Sequence, residues 1–313
     1  MLQAACGLAV VCADAHARMP EAPRNDERVR GIYDKLAASL ARLESIEYTA
    51  AETITNHLPL PADSPSQPVM RFELHYAQQK DHFFSRTVRV DPDPERQWGA
   101  EAAFDGQNYQ EFSAGLLRIE SDRPQDFGSM VHRQSIVTPL DFAFDLGTND
   151  IDSRFSTLAM KETWKHLIAQ STWLRTETVN DRPCDVVQVL ATHQKFHANF
   201  MYRVFLDREL DYYPVKWELD VVPLPQSDGT IKRSTSRTEG TVETQVFQTS
   251  QGRVVVPVMI KLDLFFDGQL GRTVEVRIDP ETLHVNEPID KARFTIPRDR
   301  AQRVIDESGD GKQ

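Results

Sequence analysis

The sequence predicts a mainly β protein of the α+β class, built on one long antiparallel sheet. Short segments rich in Val, Thr, Phe and Tyr recur along most of the chain, separated by turn signals such as Asp105-Gly106, Asn180-Asp181, Gln251-Gly252 and Asp267-Gly268. Helical spacing of apolar residues stands out only ahead of the first strand and again midway. A sheet of about eleven or twelve strands has to curl or close.

Taken in order, residues 2–13 form an apolar run followed by Ala15-His16-Ala17, the small-x-small pattern of a signal cleavage site. The run is too short to span a bilayer. Gln3 stands where a lipobox needs an aliphatic residue, so the pattern favours a cleaved leader over lipidation at Cys6. Residues 18–26 read as a linker. Val29, Ile32, Tyr33, Leu36, Leu40 and Leu43 then mark an amphipathic helix over 27–43. From Ile46 the mix turns to strand, and residues 59–68, with four prolines, form a loop.

Residues 69–77 and 82–90 predict a hairpin, Asp105-Gly106 turns a second, and 116–120 supplies a further strand. Leu158, Trp164, Leu167 and Ile168 place a helix near 153–169, after a short apolar segment containing Phe142, Phe144 and Leu146. Seven strands follow, at 173–179, 184–192, 201–207, 215–221, 237–249, 253–266 and 270–278. The expected layout is a signal peptide at 1–17, a linker at 18–26, a single domain at 27–300 and a polar tail at 301–313.

The chain has 313 residues, with 36 basic and 47 acidic side chains and a formal charge of −11. That balance argues against nucleic acid as a partner, since phosphate binding draws on a basic surface. At 40% apolar and 27% charged, the composition is that of an ordinary globular protein.

Motifs that carry chemistry are sparse. Cys184, in a β-branched segment, reads as a buried small hydrophobe. His193 and His197 share a strand face but have no identifiable third ligand, and Gln194 fills the place where a zincin carries Glu. There is no GxGxxG, GxxxxGK[ST] or GxSxG pattern. The pairs Asp91/Asp93 and Asp141/Asp145 are of the kind an acidic chain contains by chance. The expectation is a protein that is not an enzyme and has neither metal nor cofactor.

Four pieces resemble the lipoprotein-localisation family of the LolA/LolB type. The helix runs directly into Leu43-Glu44-Ser45-Ile46-Glu47-Tyr48, and Phe104-Asp105-Gly106-Gln107-Asn108-Tyr109 is similar to the family's Asp-Gly-x-x-aromatic hairpin. The third piece is Asn180-Asp181-Arg182-Pro183-Cys184-Asp185-Val186-Val187, followed by Val204-Phe205-Leu206-Asp207 and Tyr213-Pro214-Val215-Lys216-Trp217-Glu218. The fourth, Pro288-Ile289-Asp290-Lys291-Ala292-Arg293-Phe294-Thr295-Ile296-Pro297, resembles the terminal aspartate and Phe-x-x-Pro strand. The chain departs from a typical carrier in its extra loops at 59–68 and 223–237.

The resemblance implies a half-open β-barrel with the N-terminal helix and a mid-chain helical insertion covering its concave face. It implies a protein that is periplasmic or otherwise exported and whose partner is a lipid or an acylated lipoprotein. Phe142, Phe144, Leu146, Trp164, Leu167 and Ile168 would then line or cap the cavity, with Arg133 or Lys165 near a headgroup. The other reading, an envelope protein-interaction or sensor module on the same scaffold, predicts a filled barrel with an exposed apolar edge.

Overall fold

The computed structural model describes residues 27–59, 68–80, 82–90, 99–121, 171–193, 198–224 and 235–307. The expected signal peptide and linker, the mid-chain helix and all six expected cavity residues (Phe142, Phe144, Leu146, Trp164, Leu167 and Ile168) lie outside them. Helix α1 is Glu27–Leu40, and its buried face is Val29, Ile32, Tyr33, Leu36 and Leu40, the spacing of an amphipathic helix. The Arg42 and Leu43 amides donate to Ser39 and Leu40. These tight i→i−3 bonds place the periodic residue Leu43 in a closing turn beyond the helix.

The strands are β1 (Ser45–Asn56), β2 (Val69–Gln79), β3 (His82–Val90), β4 (Gly99–Phe104), β5 (Tyr109–Ser113), β6 (Leu116–Glu120), β7 (Ser171–Val179), β8 (Arg182–His193) and β9 (Ala198–Asp207). After them come β10 (Tyr213–Pro223), β11 (Ser236–Thr249), β12 (Gly252–Phe266), β13 (Gln269–Ile278), β14 (His284–Val285) and β15 (Arg303–Glu307). They form one sheet of 15 strands in the order β15-β6-β5-β4-β3-β2-β1-β13-β12-β11-β10-β9-β8-β7, with β14 pairing β1. Two meanders are thus joined back to back. The seam is β1 against β13, in antiparallel register from Ala50 opposite Ile278 to Asn56 opposite Arg272.

Strands β7 and β15 end the order and do not pair with each other, so the sheet is open. The strand count exceeds the eleven or twelve read from the sequence, mainly because short pieces at the chain's end also pair. Residues 303–307, which the sequence reading puts in the polar tail, run parallel to β6.

The sheet is strongly curled. Five strand spacings separate β7 from β12, about 24 Å if the sheet were flat. Yet α1, a cylinder about 10–12 Å across, touches both. The sheet therefore wraps the helix.

Directly opposed residues share a face, so the register sorts the side chains. On the helix side, Ser171 meets the Tyr33 hydroxyl at 3.1 Å, and Val187, Tyr202, Trp217 and Leu219 are buried with Leu36 in the main core. Gly240 lies directly opposite Trp217, and a Cβ there would fall within the indole ring. The bare backbone at Gly240 is what lets the ring lie flat on β11.

A second core occupies the reverse face of the other half, where Phe84, Ala103, Leu117 and Ile119 pack under Ile289, Phe294 and Ile296. Gln110 Oε1 accepts from the Ile296 amide at 2.7 Å, and Arg300 grips buried Glu101 through two bonds of 2.6 and 2.8 Å. The two halves are thus covered from opposite sides.

Candidate functional site

Alternate strands run in opposite directions, so connections gather at two ends of the sheet. The connections β1–β2, β3–β4, β5–β6, β8–β9, β10–β11 and β12–β13 share one end, called here the loop rim. A cleft of about 500 Å³ opens at this rim, against the ends of β9 to β12. Its size falls within the roughly 300–1,000 Å³ of small-molecule sites. Met201, Val222 and Phe265 form an apolar wall, and Asp220, Arg237 and Glu239 supply charge.

The register explains the grouping. Asp220 opposes both Met201 and Arg237, and Arg237 opposes Phe265, which puts all four on the face away from α1. The sequence reading expects ligand space on the concave, helix-covered face. The described cleft lies on the reverse face, because α1 fills the concave side of this half.

From Asp220, Arg237 and Glu239 in the cleft, a charged ladder continues along the same face. Arg203 donates to Asp220 at 2.7 Å and pairs with Glu218 at 3.1 Å, while Lys216 pairs with Glu218 at 2.8 Å and Arg237 with Glu239 at 2.9 Å. Burial pushes the Glu218 carboxyl up, but the hydrogen bond from Lys216 and the charges of Lys216, Arg203 and Arg237 outweigh it, and its pKa falls below the ordinary carboxylate value. Glu218 therefore stays ionised and serves as an anchor for cations, not as a proton donor.

Asp185 holds a second polar cluster under the N-terminal end of α1. It is 2% exposed and accepts from Arg28 at 2.9 Å, from Trp173 Nε1 at 2.9 Å, from Thr176 at 3.3 Å and from Arg208 at 2.7 and 3.1 Å. The Arg28 guanidinium also lies 3.7 Å from the centroid of the Trp173 ring. Burial raises the Asp185 pKa, but the bonds from Arg208 and Trp173 with the charges of Arg208 and Arg28 together outweigh it, so the net direction is down. A carboxylate with so many donors is a structural latch.

Next to it, burial first and then the nearby Asp207 charge push the Cys184 thiol up to about 11. It is buried and stays protonated at neutral pH, the opposite of a reactive thiolate. His193 ends β8, and His197 and the aspartate pairs 91/93 and 141/145 lie outside the described residues. Among the described residues no group of three His, Cys, Asp or Glu could hold a metal ion, and no helix is long and apolar enough to cross a membrane.

Sequence reasoning missed the cleft. Its signal was the alternation in Lys216-Trp217-Glu218-Leu219-Asp220 and Arg237-Thr238-Glu239, which marks a charged face. Only the register shows that Met201 and Phe265 join that face.

No family model and no curated protein matches the chain. Among solved structures, a DUF1329 family protein from Desulfovibrio piger is similar at 10% identity with a TM-score of 0.45, covering 85% of this chain and 97% of that one. An uncharacterised conserved protein from Thermus thermophilus has 7% identity and a TM-score of 0.30 over 88% and 98%. The Mycobacterium tuberculosis lipoprotein LppX has 9% identity and a TM-score of 0.28 over 83% and 98%. Likeness this weak identifies neither a family nor an activity.

Proposed function

We propose that the protein is an exported, non-enzymatic binding protein of the envelope, LolA/LolB-like in role, that holds a lipid or the acyl chain of a lipoprotein. The observation that supports this reading is the rim cleft of about 500 Å³, with Met201, Val222 and Phe265 along one wall. Each buried methylene contributes about 0.8 kcal/mol, so about ten supply about 8 kcal/mol, the free energy of a micromolar complex before ordering costs. No specific polar contact is needed for that. Arg237, at the cleft and 45% exposed, is placed to meet a headgroup oxygen. Phe142, Phe144, Leu146, Trp164, Leu167 and Ile168 belong to the same proposal as further acyl-facing residues.

Titration with a fluorescent long-chain fatty acid tests it. The unaltered protein is expected to bind with a Kd in the micromolar range, and Phe265→Asp to weaken binding by about tenfold or more with an unchanged unfolding midpoint. Binding that is absent in the unaltered protein, or indifferent to Phe265→Asp in a folded variant, contradicts the cleft as the site.

A further inference from the structure

Pairing between β10 and β11 stops at Lys216 opposite Thr241, whereas β11 runs on to Thr249 paired with β12 alone. Residues 242–249 and 252–258 therefore stand as a two-stranded arm beyond β10. Among the described residues, no strand lies beside the outer edge of β11 along 242–249 and no turn backbone bonds to it. A bulge in β12 opposite Glu243 and Thr244 marks the departure, as expected where a hairpin bends away from its sheet. The connections that bond to the arm, through Arg42, Glu209, Asp211 and Asn286, are all described.

The arm is held from its inner side. Val254, Val255 and Val256 of β12 are buried in the main core. Arg253 donates to the Glu209 carbonyl at 2.7 Å and pairs with Asp211 at 3.2 Å, and Arg42 donates to the Arg253 carbonyl at 2.8 Å. The outer strand, by contrast, exposes Glu243, Gln245, Val246 and Gln248. An edge already fixed in extended form loses little freedom when another strand joins it.

Proteins usually blunt such edges with charge, proline or a bulge in the edge strand. Strand β7 carries Arg175 and Glu177 and bulges between Trp173 and Arg175, and β15 carries Arg303, Asp306 and Glu307. Along 242–249 the one charged side chain is Glu243, with no proline or glycine, and 244–249 reads Thr-Gln-Val-Phe-Gln-Thr. That is the composition of a strand-pairing segment. It is also self-complementary. Antiparallel to its own copy about Val246, Val246 meets Val246, Gln245 meets Phe247, Thr244 meets Gln248 and Glu243 meets Thr249, so no like charges oppose each other. Two Glu243 carboxylates face each other only if the axis falls on Glu243 itself.

We propose that this stretch of β11 is a self-association edge: two copies of the chain pair antiparallel through residues 242–249 about a two-fold axis, joining their sheets. Pairing uses the edge of both copies, so the assembly closes at a dimer. The contact is short, which places the dimer among weak interfaces that dissociate at micromolar concentration. The inference rests on β11 and β12 and holds whatever the cleft contains.

Sedimentation velocity of the full chain, from low to high micromolar concentration, tests it. The unaltered protein is expected to pass from monomer to dimer. Val246→Lys sets two ammonium groups against each other across the axis and is expected to weaken association by about tenfold or more. The control Val90→Lys, at a position 51% exposed on β3, is expected to associate as the unaltered protein does. Circular dichroism and unfolding midpoints confirm that both variants are folded. Deuterium exchange of the unaltered protein at the two ends of the concentration range is expected to show added protection at 242–249 in the dimer. A chain that stays monomeric throughout, a dimer that a folded Val246→Lys leaves intact, equal loss in both variants, growth beyond a dimer, or a dimer without added protection at 242–249 overturns the proposal.

Discussion

Asp185 shows how a single residue ties the helix to the sheet. Its carboxylate is buried and joins α1 through Arg28, the turn after β9 through Arg208 and strand β7 through Trp173. Asp185→Asn leaves two guanidiniums facing a neutral amide. The expected loss is about 3 kcal/mol, the low end for breaking a buried pair, because Arg28 and Arg208 are 43% and 36% exposed and water partly compensates them.

The pH dependence follows from the direction of the shift. The folded-state pKa of Asp185 lies below its ordinary value, about 3.9 in an unfolded chain. Its contribution is therefore complete above that value and is lost as pH falls through the depressed folded value. Urea unfolding at a series of pH values is expected to show a shallower acid decline in Asp185→Asn, and an unchanged decline would mean that the latch is not formed. In the sequence, Asp185 reads as one polar residue in a β-branched segment, and nothing local announces that Arg28, distant in sequence, covers it.

At the scale of elements, legibility follows sequence distance. Strands β3 and β6 fall where alternation and turn residues put them, and the Asp105-Gly106 turn links β4 to β5 with the Asp105 carboxylate accepting from the Gln107 and Asn108 amides at 2.9 and 2.7 Å. Those signals are local, and so are the hairpins. The β1–β13 seam and the parallel β15 join residues roughly two hundred positions apart, and no local pattern encodes such partners.

Strand β15 also differs in how it is held. All its residues but Ile305 are exposed, parallel pairing is slightly weaker per residue, and one side-chain tether is the ion pair of Asp306 with Arg298 at 2.6 Å. Its amides are expected to exchange with deuterium well before those of the β1–β13 seam, whose flanks carry Ala50, Val276 and Ile278 in the core. Equal protection would make β15 part of the same cooperative unit. Truncation after Gln302 is likewise expected to cost less stability than Leu36→Ala, for which about 2–5 kcal/mol is usual in a core.

For the whole molecule, the sequence made the architecture legible and left the site largely hidden. Alternation and strand number required a curled sheet, and α1 covers its concave side, as the resemblance implied. The sequence could not indicate that this helix fills its half of the concavity, so that the described cleft falls on the reverse face. That outcome depends on register, which turns Met201, Asp220, Val222, Arg237 and Phe265 the same way.

At the scale of the whole molecule the proposed function comes down to one property, uptake of an acyl chain at the cleft against the ends of β9 to β12. Native mass spectrometry of the full chain, purified without detergent, tests this most directly. A co-purifying mass of lipid size, released by solvent and lost in Phe265→Asp, is the predicted result. A folded protein that stays empty after incubation with envelope lipids would contradict it.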